Sequence, residues 1–490
     1  MKKICFAIAL LFCGMTSHAQ KKSAIDAQVT PNILKGQMNF FAADELQGRD
    51  LGSVGIDIAA RYLSTTMQSF GVSPYKEGKD GYFQPVELQE FKVPKVQFAV
   101  EGLMGTSAIT MNQKNLNFDG DALFLGYATP DEFKESLVKG KIILTFSGTK
   151  TDQSIGAAMK QYQILEAAAK KAGAKALVQI FRGAVTDWHK LDHYFNSPKM
   201  VVKGQVPRVR NDFTSIFVHE NDQPFHGILG QYYKVQLKVD ASGLHMVQDV
   251  PAKNIIGIVE GTDSKLKNEY VIYTAHYDHL GLGEKNAEGD SIYNGARDNG
   301  AGVLSVLNAA AYLAKHPTKR SAMFLFLTGE EKGLLGSQYY VENPVIPLKQ
   351  CVYVMNNDNG ACNDKSIITI VGLNRTTATP HFLKAGKTYG LKPMGDPTKE
   401  GLFRRSDNIS FAEKGIPAPT LSLGFTGFDE TVMHYYHQTD DNPATIDYDY
   451  LTKFVRTYIY AGALIGNDKK TPEWTVGDPY FKAGQKLYQP

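Results

Sequence analysis

From Ala252 onward the chain repeats one pattern, a short apolar run followed by a helix-length segment. The runs are KNIIGIVEG, EYVIYTAH, SAMFLFLTG, QCVYVMNND and APTLSLGF, and GVLSVLNAAAYLAKH lies between two of them with helical spacing. Strands that are apolar throughout need cover on both faces, and strands joined by helices lie parallel. The pattern predicts an α/β fold with a mostly parallel central sheet and helices on both faces. In such sheets functional residues gather beyond the carboxyl ends of the strands.

The remainder of the 490 residues is organised differently. From Pro31 to Gly71 the pattern is helical, with a glycine-rich break at Gly48 to Gly55. There Ile56, Ala59, Ala60, Leu63 and Met67 recur at helical spacing. GYFQPVELQEFKV then alternates like an edge strand that leads into a new region. Between residues 93 and 249 short strands dominate, among them GDALFLGY and GKIILTFSG, with one clear helix from Gly156 to Gly173. The stretch DWHKLDHYFNSPKM, Asp187 to Met200, reads as a loop, and the end after Gly466 reads as a polar tail. The first residues, MKKICFAIALLFCGMTSHAQ, have the lysines, apolar run and small-residue cleavage site of a secretory signal. The expected divisions are therefore a signal at 1–19, a first part of the main domain at 20–92, an inserted mixed α/β domain at 93–249, the domain core at 250–466 and a tail at 467–490.

An exported protein follows, periplasmic or secreted. No apolar stretch reaches the eighteen or so residues of a membrane span, so no stable membrane insertion is expected. The net charge of +3 includes Lys2 and Lys3, and no basic stripe remains to suggest a nucleic-acid partner. Outside the signal only Cys351 and Cys362 remain, which is no disulfide scaffold. An extended Cys351 to Asp358 spans about 23 Å, and the four residues onward recover at most about 14 Å. The remaining gap exceeds the roughly 7 Å limit between bridged Cα atoms, so the two thiols are expected to be free.

The strand ends carry a coherent set of residues. EYVIYTAH ends at His276 and continues to Asp278 and His279, and SAMFLFLTG leads to Glu330 and Glu331. QCVYVMNND ends at Asp358, and the chain after APTLSLGF reaches YYHQTDD with His437. Asp298, in NGARDNGAG, stands before a strong helix, where a plain N-cap is the common role. On the first stretch alone a structural His–Asp pair serves as well as a metal ligand. Taken together, His276, Asp298, Glu331, Asp358 and His437 exceed what one four-coordinate ion needs. They suit two divalent cations bridged by a carboxylate, about 3.5–4 Å apart. Ligation by nitrogen and oxygen without thiolate points first to zinc, with manganese or cobalt as the other fits.

These residues sit in motifs that resemble the secreted dizinc aminopeptidase family, whose relatives include bacterial leucyl aminopeptidases, glutamate carboxypeptidase and the transferrin-receptor ectodomain. The motifs are AHYDHLG, YNGARDNGAGV, FLTGEEKGLLGS, MNNDNG, FRRSDNISFAEKGIPA and YYHQTDD, with ELQGRDLGSVGIDIAARYL nearer the N-terminus. GYATPDEFKESLVKGKIIL and AAKKAGAKALV resemble a protease-associated domain more weakly. The resemblance implies that Asp298 bridges two zinc ions, that His276 and Asp358 complete one site, and that Glu331 and His437 complete the other. It makes Asp278 the orienting partner of His276. Glu330 becomes the general base that activates a metal-bridging water against a peptide bond. Tyr436 is implied as a donor to the developing oxyanion, a packed aromatic being an equal reading. Arg405 is implied as a contact to substrate or product.

The implied activity is an exopeptidase acting on peptides, of the aminopeptidase type. A carboxypeptidase would gather several arginines near the site, and only Arg404 and Arg405 lie beside a motif. A glutaminyl-cyclase relative uses one zinc, and a receptor-like module that has lost catalysis would lack ligands or the base. Two positions depart from the family pattern: Arg297, beside the bridging aspartate, and Asn408, where histidine is common.

Overall fold

The computed structural model describes residues 22–489, apart from 94, 102–107, 112–115, 206, 208–212, 221–224, 241–245, 284 and 399–400. The expected signal at 1–19 lies outside the described residues. The described residues form two compact units, one of those up to Glu87 together with those from Val250 onward, the other of those from Leu88 to Asp249.

In the first unit the elements that matter here are α1 (Pro31–Phe41), α2 (Val54–Ser69), β1 (Phe83–Phe91), β2 (Met246–Val259), β3 (Tyr270–His276), α3 (Gly302–Lys315), β4 (Ser321–Leu327), α4 (Leu335–Glu342), β5 (Cys351–Asn357), β6 (Ile367–Val371), α5 (Thr379–Tyr389), β7 (Lys392–Met394), α6 (Asn408–Glu413), β8 (Thr420–Ser422), α7 (Glu430–Tyr435), α8 (Tyr448–Asn467) and α9 (Phe481–Tyr488). Strand order in the sheet is β7-β6-β8-β5-β3-β4-β2-β1. The centre is parallel: β3 pairs β4 with Val271 opposite Ala322, β3 pairs β5, and β5 pairs β8. Antiparallel pairs flank it, β2 with β4 on one side and β6 with β8 on the other.

The apolar runs are explained by two cores. Val271, Tyr273 and Ala275 of β3, with Phe324 and Phe326 of β4, pack on one face against Leu304 and Leu307 of α3 and Phe454 and Tyr458 of α8. Their neighbours Ile272, Met323, Leu325 and Leu327 face the other way, against Tyr340 of α4 and Phe411 of α6. Successive side chains of a strand point to opposite faces, so a strand covered on both sides must be apolar at every position. This is the doubly covered α/β fold expected from the sequence.

The second unit holds a sheet in the order Lys95–Val100, Tyr232–Asp240, Leu116–Phe124, Ile142–Phe146, Ala176–Phe181, Thr214–His219, Ala108–Thr110. A helix at Ile155–Lys171 covers it and stops at Gly173, whose φ of 73° suits a residue without Cβ. The stretch expected as a loop from Asp187 is instead part of a helix, Val185–Asn196, followed by a strand at Lys199–Val202. Trp188 and Leu191 are buried against Phe181 and Phe217, and Phe195 packs at the edge of that cluster. Their spacing of three and seven is helical, and the intervening polar residues masked it.

The polar tail also differs from expectation. Trp474 is 3% exposed and packs with Val371, Phe403, Ile409 and Ala412. Its indole donates to Gly415 O at 3.0 Å, and Arg375 pairs with Asp478 at 2.6 Å. A few large apolar anchors in a polar stretch are enough to dock it. Among the described residues no helix is long and apolar enough to cross a membrane.

Candidate metal centre

Each sequence-predicted ligand stands just past a strand end or on a loop beside it. β3 closes with His276 itself, and β5 is followed directly by Asp358. After β4 the chain turns at Gly329, φ 68°, and presents Glu330 and Glu331. After β8 it passes through α7 to His437. His276 Nε2 lies 3.2 Å from Asp358 Oδ1 and 3.3 Å from Asp298 Oδ1. His437 Nε2 lies 3.2 Å from Asp298 Oδ2 and 3.4 Å from Glu331 Oε2. The two oxygens of Asp298 therefore face different imidazoles, each imidazole accompanied by one further carboxylate.

Asp298 does not cap the helix behind it. α3 begins at Gly302, and the side chain that accepts its first N–H is Asn299, with Gly302 N donating to Asn299 Oδ1 at 3.1 Å. The neighbouring asparagine takes the capping role, and the carboxylate of Asp298 is left to face the histidines. Its backbone is fixed from the other side: Asp298 N and Arg297 N both donate to the buried carboxylate of Asp441, at 3.0 and 2.9 Å.

Asp278 departs from the orienting role expected of it. The Nδ1 of His276 lies 3.2 Å from the Asp278 backbone carbonyl, whereas the carboxylate is 3.9 Å away. That carboxylate instead accepts the backbone N–H groups of Glu330 and Glu331, each at 3.2 Å. The strand ends at His276, so the rule that residues two apart share a face lapses beyond it. Asp278 thus orients the Glu330–Glu331 turn. Burial raises its carboxyl to about 6, with the His276 charge opposing.

His279 is the site residue that the sequence pattern left without a role. It is fully buried, its Nδ1 lies 2.7 Å from Glu331 Oε1, and it forms a potential ligand group with Asp298 and Glu331. Glu331 therefore has an imidazole on either side. His279 stands in the same motif as His276, and that adjacency was the available signal. Asp407, in the SDN motif, is fully buried too, and burial pushes its carboxyl to about 7.

The electrostatics favour cations. Burial alone would raise the Asp298 carboxyl, but His276, His437 and His279 outweigh it and hold it well below the usual carboxylate range. Burial would likewise lower His437, yet Glu331 and Asp298 push it up to about 9. Burial and the carboxylates of Asp358, Glu331 and Asp407 raise Glu330, against His276. A pocket that draws positive charge onto its own imidazoles is fitted for dications, and three donor groups within it have ligand atoms all within 4.8 Å: His276, Asp298 and Asp358; His279, Asp298 and Glu331; and His276, Glu330 and Glu331.

The two departures from the family pattern leave the donors intact. Arg297 turns to Asp441 at 3.0 Å and Thr445 at 2.7 Å, and its guanidinium stacks 3.8 Å from the Tyr435 ring centre. Asn408 donates to Phe403 O and Ala418 O and holds the start of α6. Tyr436 stacks on His437 with ring centres 4.1 Å apart, and its phenol feels the charges of Asp298, Glu331, Arg405 and Asp358. Arg405 is exposed, 5.8 Å from the Phe428 ring centre.

Residues 254–462 match peptidase family M28. Aminopeptidase Y of Saccharomyces cerevisiae is 24% identical over 273 residues, 48% of this chain and 48% of its own length. The matches to the first curated relatives span 19%, 17% and 48% of those proteins. In structure the chain is similar to an aminopeptidase from Aneurinibacillus sp. strain AM-1, with a TM-score of 0.60 at 18% identity, covering 93% of this chain and 98% of that one. It is also similar to a zinc aminopeptidase from Bacillus subtilis, with a TM-score of 0.55 at 18% identity, covering 90% and 97% of the two chains. At these identities the structural likeness establishes the fold.

Proposed function

We propose that this chain, whose residues 254–462 match peptidase family M28, is an exported metal-dependent aminopeptidase. The observation that carries the reading is Asp298, whose two carboxylate oxygens lie 3.3 and 3.2 Å from His276 and His437. His276, Asp298 and Asp358 would hold one divalent cation, and Asp298, Glu331 and His437 a second, zinc being the first choice for these donors. Such a pair supplies Lewis acidity and neutralises charge that develops on the substrate carbonyl.

The protein's own groups do the rest. Glu330, adjacent to the ligand Glu331 but outside the ligand set, takes a proton from the attacking water and returns it to the leaving amine. Asp278 holds that glutamate pair by its backbone N–H groups. Tyr436 donates to the oxyanion from its place beside His437, and Arg405 meets the far side of the substrate or product. His279 fixes the rotamer of Glu331 through its 2.7 Å contact. The unit of residues 88–249 is assigned as a protease-associated domain on its sequence motifs.

The direction of action is tested with two peptides, one blocked only at its N-terminus and one only at its C-terminus. Loss of residues from the second alone, abolished by a chelator and restored by zinc, is expected. Cleavage of the first alone overturns the aminopeptidase assignment and leaves a metallopeptidase.

A further inference from the structure

The motif ELQGRDLGS contributes no ligand, yet its arginine reaches the segments that carry two of them. Arg49 is 0% exposed. Its Nε donates to Tyr277 O at 3.0 Å, one Nη to Phe41 O at 3.0 Å and Asn294 O at 2.6 Å, and the other to Gly295 O at 3.1 Å. Tyr277 lies between His276 and Asp278, and Asn294–Gly295 opens the loop that ends at Asp298. The backbone joins in, since His279 N donates to Arg49 O at 3.3 Å. One side chain thus bridges the end of β3 and the loop before α3 through main-chain carbonyls, where side-chain variation cannot loosen it.

The turn that delivers this arginine is strained. Gln47, Gly48 and Arg49 have φ of 47°, 66° and 53°, and two of the three are not glycine. A Cβ on Gly48 would meet Gly281 O and Tyr293 O at 2.5 Å, so the turn is wedged between the segment after His279 and the segment before Asn294. Such strain persists only where surrounding structure imposes it, and it collects at functional sites. Burying a guanidinium is costly: burial lowers Arg49 to about 10, and the nearby carboxylates of Asp278, Asp441, Asp298 and Glu331 offset only part of that cost. The same positive charge tempers repulsion among those carboxylates.

We propose that Arg49 is a positioning residue that keeps the β3 end and the Asn294–Asp298 loop at ligand spacing before any cation binds. The inference rests on the metal-centre reading above. A site that must first order itself binds with an affinity reduced by the fraction of competent molecules. Loss of the clamp therefore appears as weaker zinc binding, by about 10–100-fold, the usual cost of removing an outer support of a metal site.

Hydrogen exchange on the full chain provides the first test. Amides of residues 277–281 and 294–299 are expected to be protected in metal-free wild type nearly as well as in the zinc-loaded protein. Free exchange there without zinc, with protection only after loading, overturns the proposal and requires no variant to fold. Arg49→Met and Arg49→Lys, titrated with zinc against a competing chelator, test the residue itself. Weaker zinc binding, with the two segments deprotected until zinc is added, is expected. Unchanged zinc affinity in variants that lose equal stability with and without the metal overturns the proposal and leaves Arg49 merely structural. Wild type that binds no zinc overturns the metallopeptidase reading itself, and this inference with it.

Discussion

Asp298 and Asp358 both lie near His276, but only Asp298 also reaches His437. Asp298→Asn is therefore expected to lose both ions and Asp358→Asn only one, as elemental analysis of the dialysed proteins will show. Glu330→Gln should keep its metal while turnover falls by about 10²–10⁴, the worth of a positioned acid–base group. Metal loss in that variant would recast Glu330 as a ligand. Cys351 is free and buried, and burial pushes its thiol up to about 12, so it should resist alkylation in the native protein. After denaturation without reductant, peptide mapping should find both Cys351 and Cys362 labelled. These residues were legible because ligand types recur at strand ends. The side on which each carboxylate falls was not, and Asp278 is the example: its carboxylate binds two amides where orientation of His276 was expected.

At the scale of elements, the centre is assembled from separate strand ends and loops held by a few cross-links. Asp441, four residues after His437, binds the Arg297 and Asp298 amides and so joins two loops that carry proposed ligands. The turn at Gly48 wedges between two other segments, and Gly48→Ala is expected to cost about 1–3 kcal/mol from a left-handed backbone and a clash with carbonyl oxygens. Urea denaturation of the zinc-loaded protein measures it, and an unchanged midpoint would mean that the turn relaxes freely. The strands themselves were readable because burial on both faces makes them apolar throughout. β8 covers only Thr420–Ser422 of the apolar run that announced it, since hydropathy records burial and says nothing of pairing. The helix at Val185–Asn196 went unread because its apolar positions are few and lie in a polar stretch.

Over the whole molecule, the last residues close the first unit. Removing everything after Asn467 takes away Trp474, the Asp478 partner of Arg375, and the Tyr488 hydroxyl that donates to Cys351 O. Such a truncation is expected to lower the melting temperature sharply or to leave the protein insoluble. Trp474→Ala alone should cost about 3–5 kcal/mol, as deletion of a large buried ring does. Native-like melting of the truncated chain would show that the segment is dispensable.

The sequence by itself determined the class of sheet and the five ligand candidates, because both signals are local. An apolar run bounded by a polar end can be read within one strand and its following turn. Only the tertiary structure decided which way Asp278 faces, that His279 flanks Glu331, that Arg297 turns to Asp441, and that Arg49 sits behind the centre. The contacts of Arg49 and Arg297 cross 228 and 144 residues of chain. No spacing rule within a segment reports a bond closed over such a distance; only the packing of the whole sheet brings its two ends together.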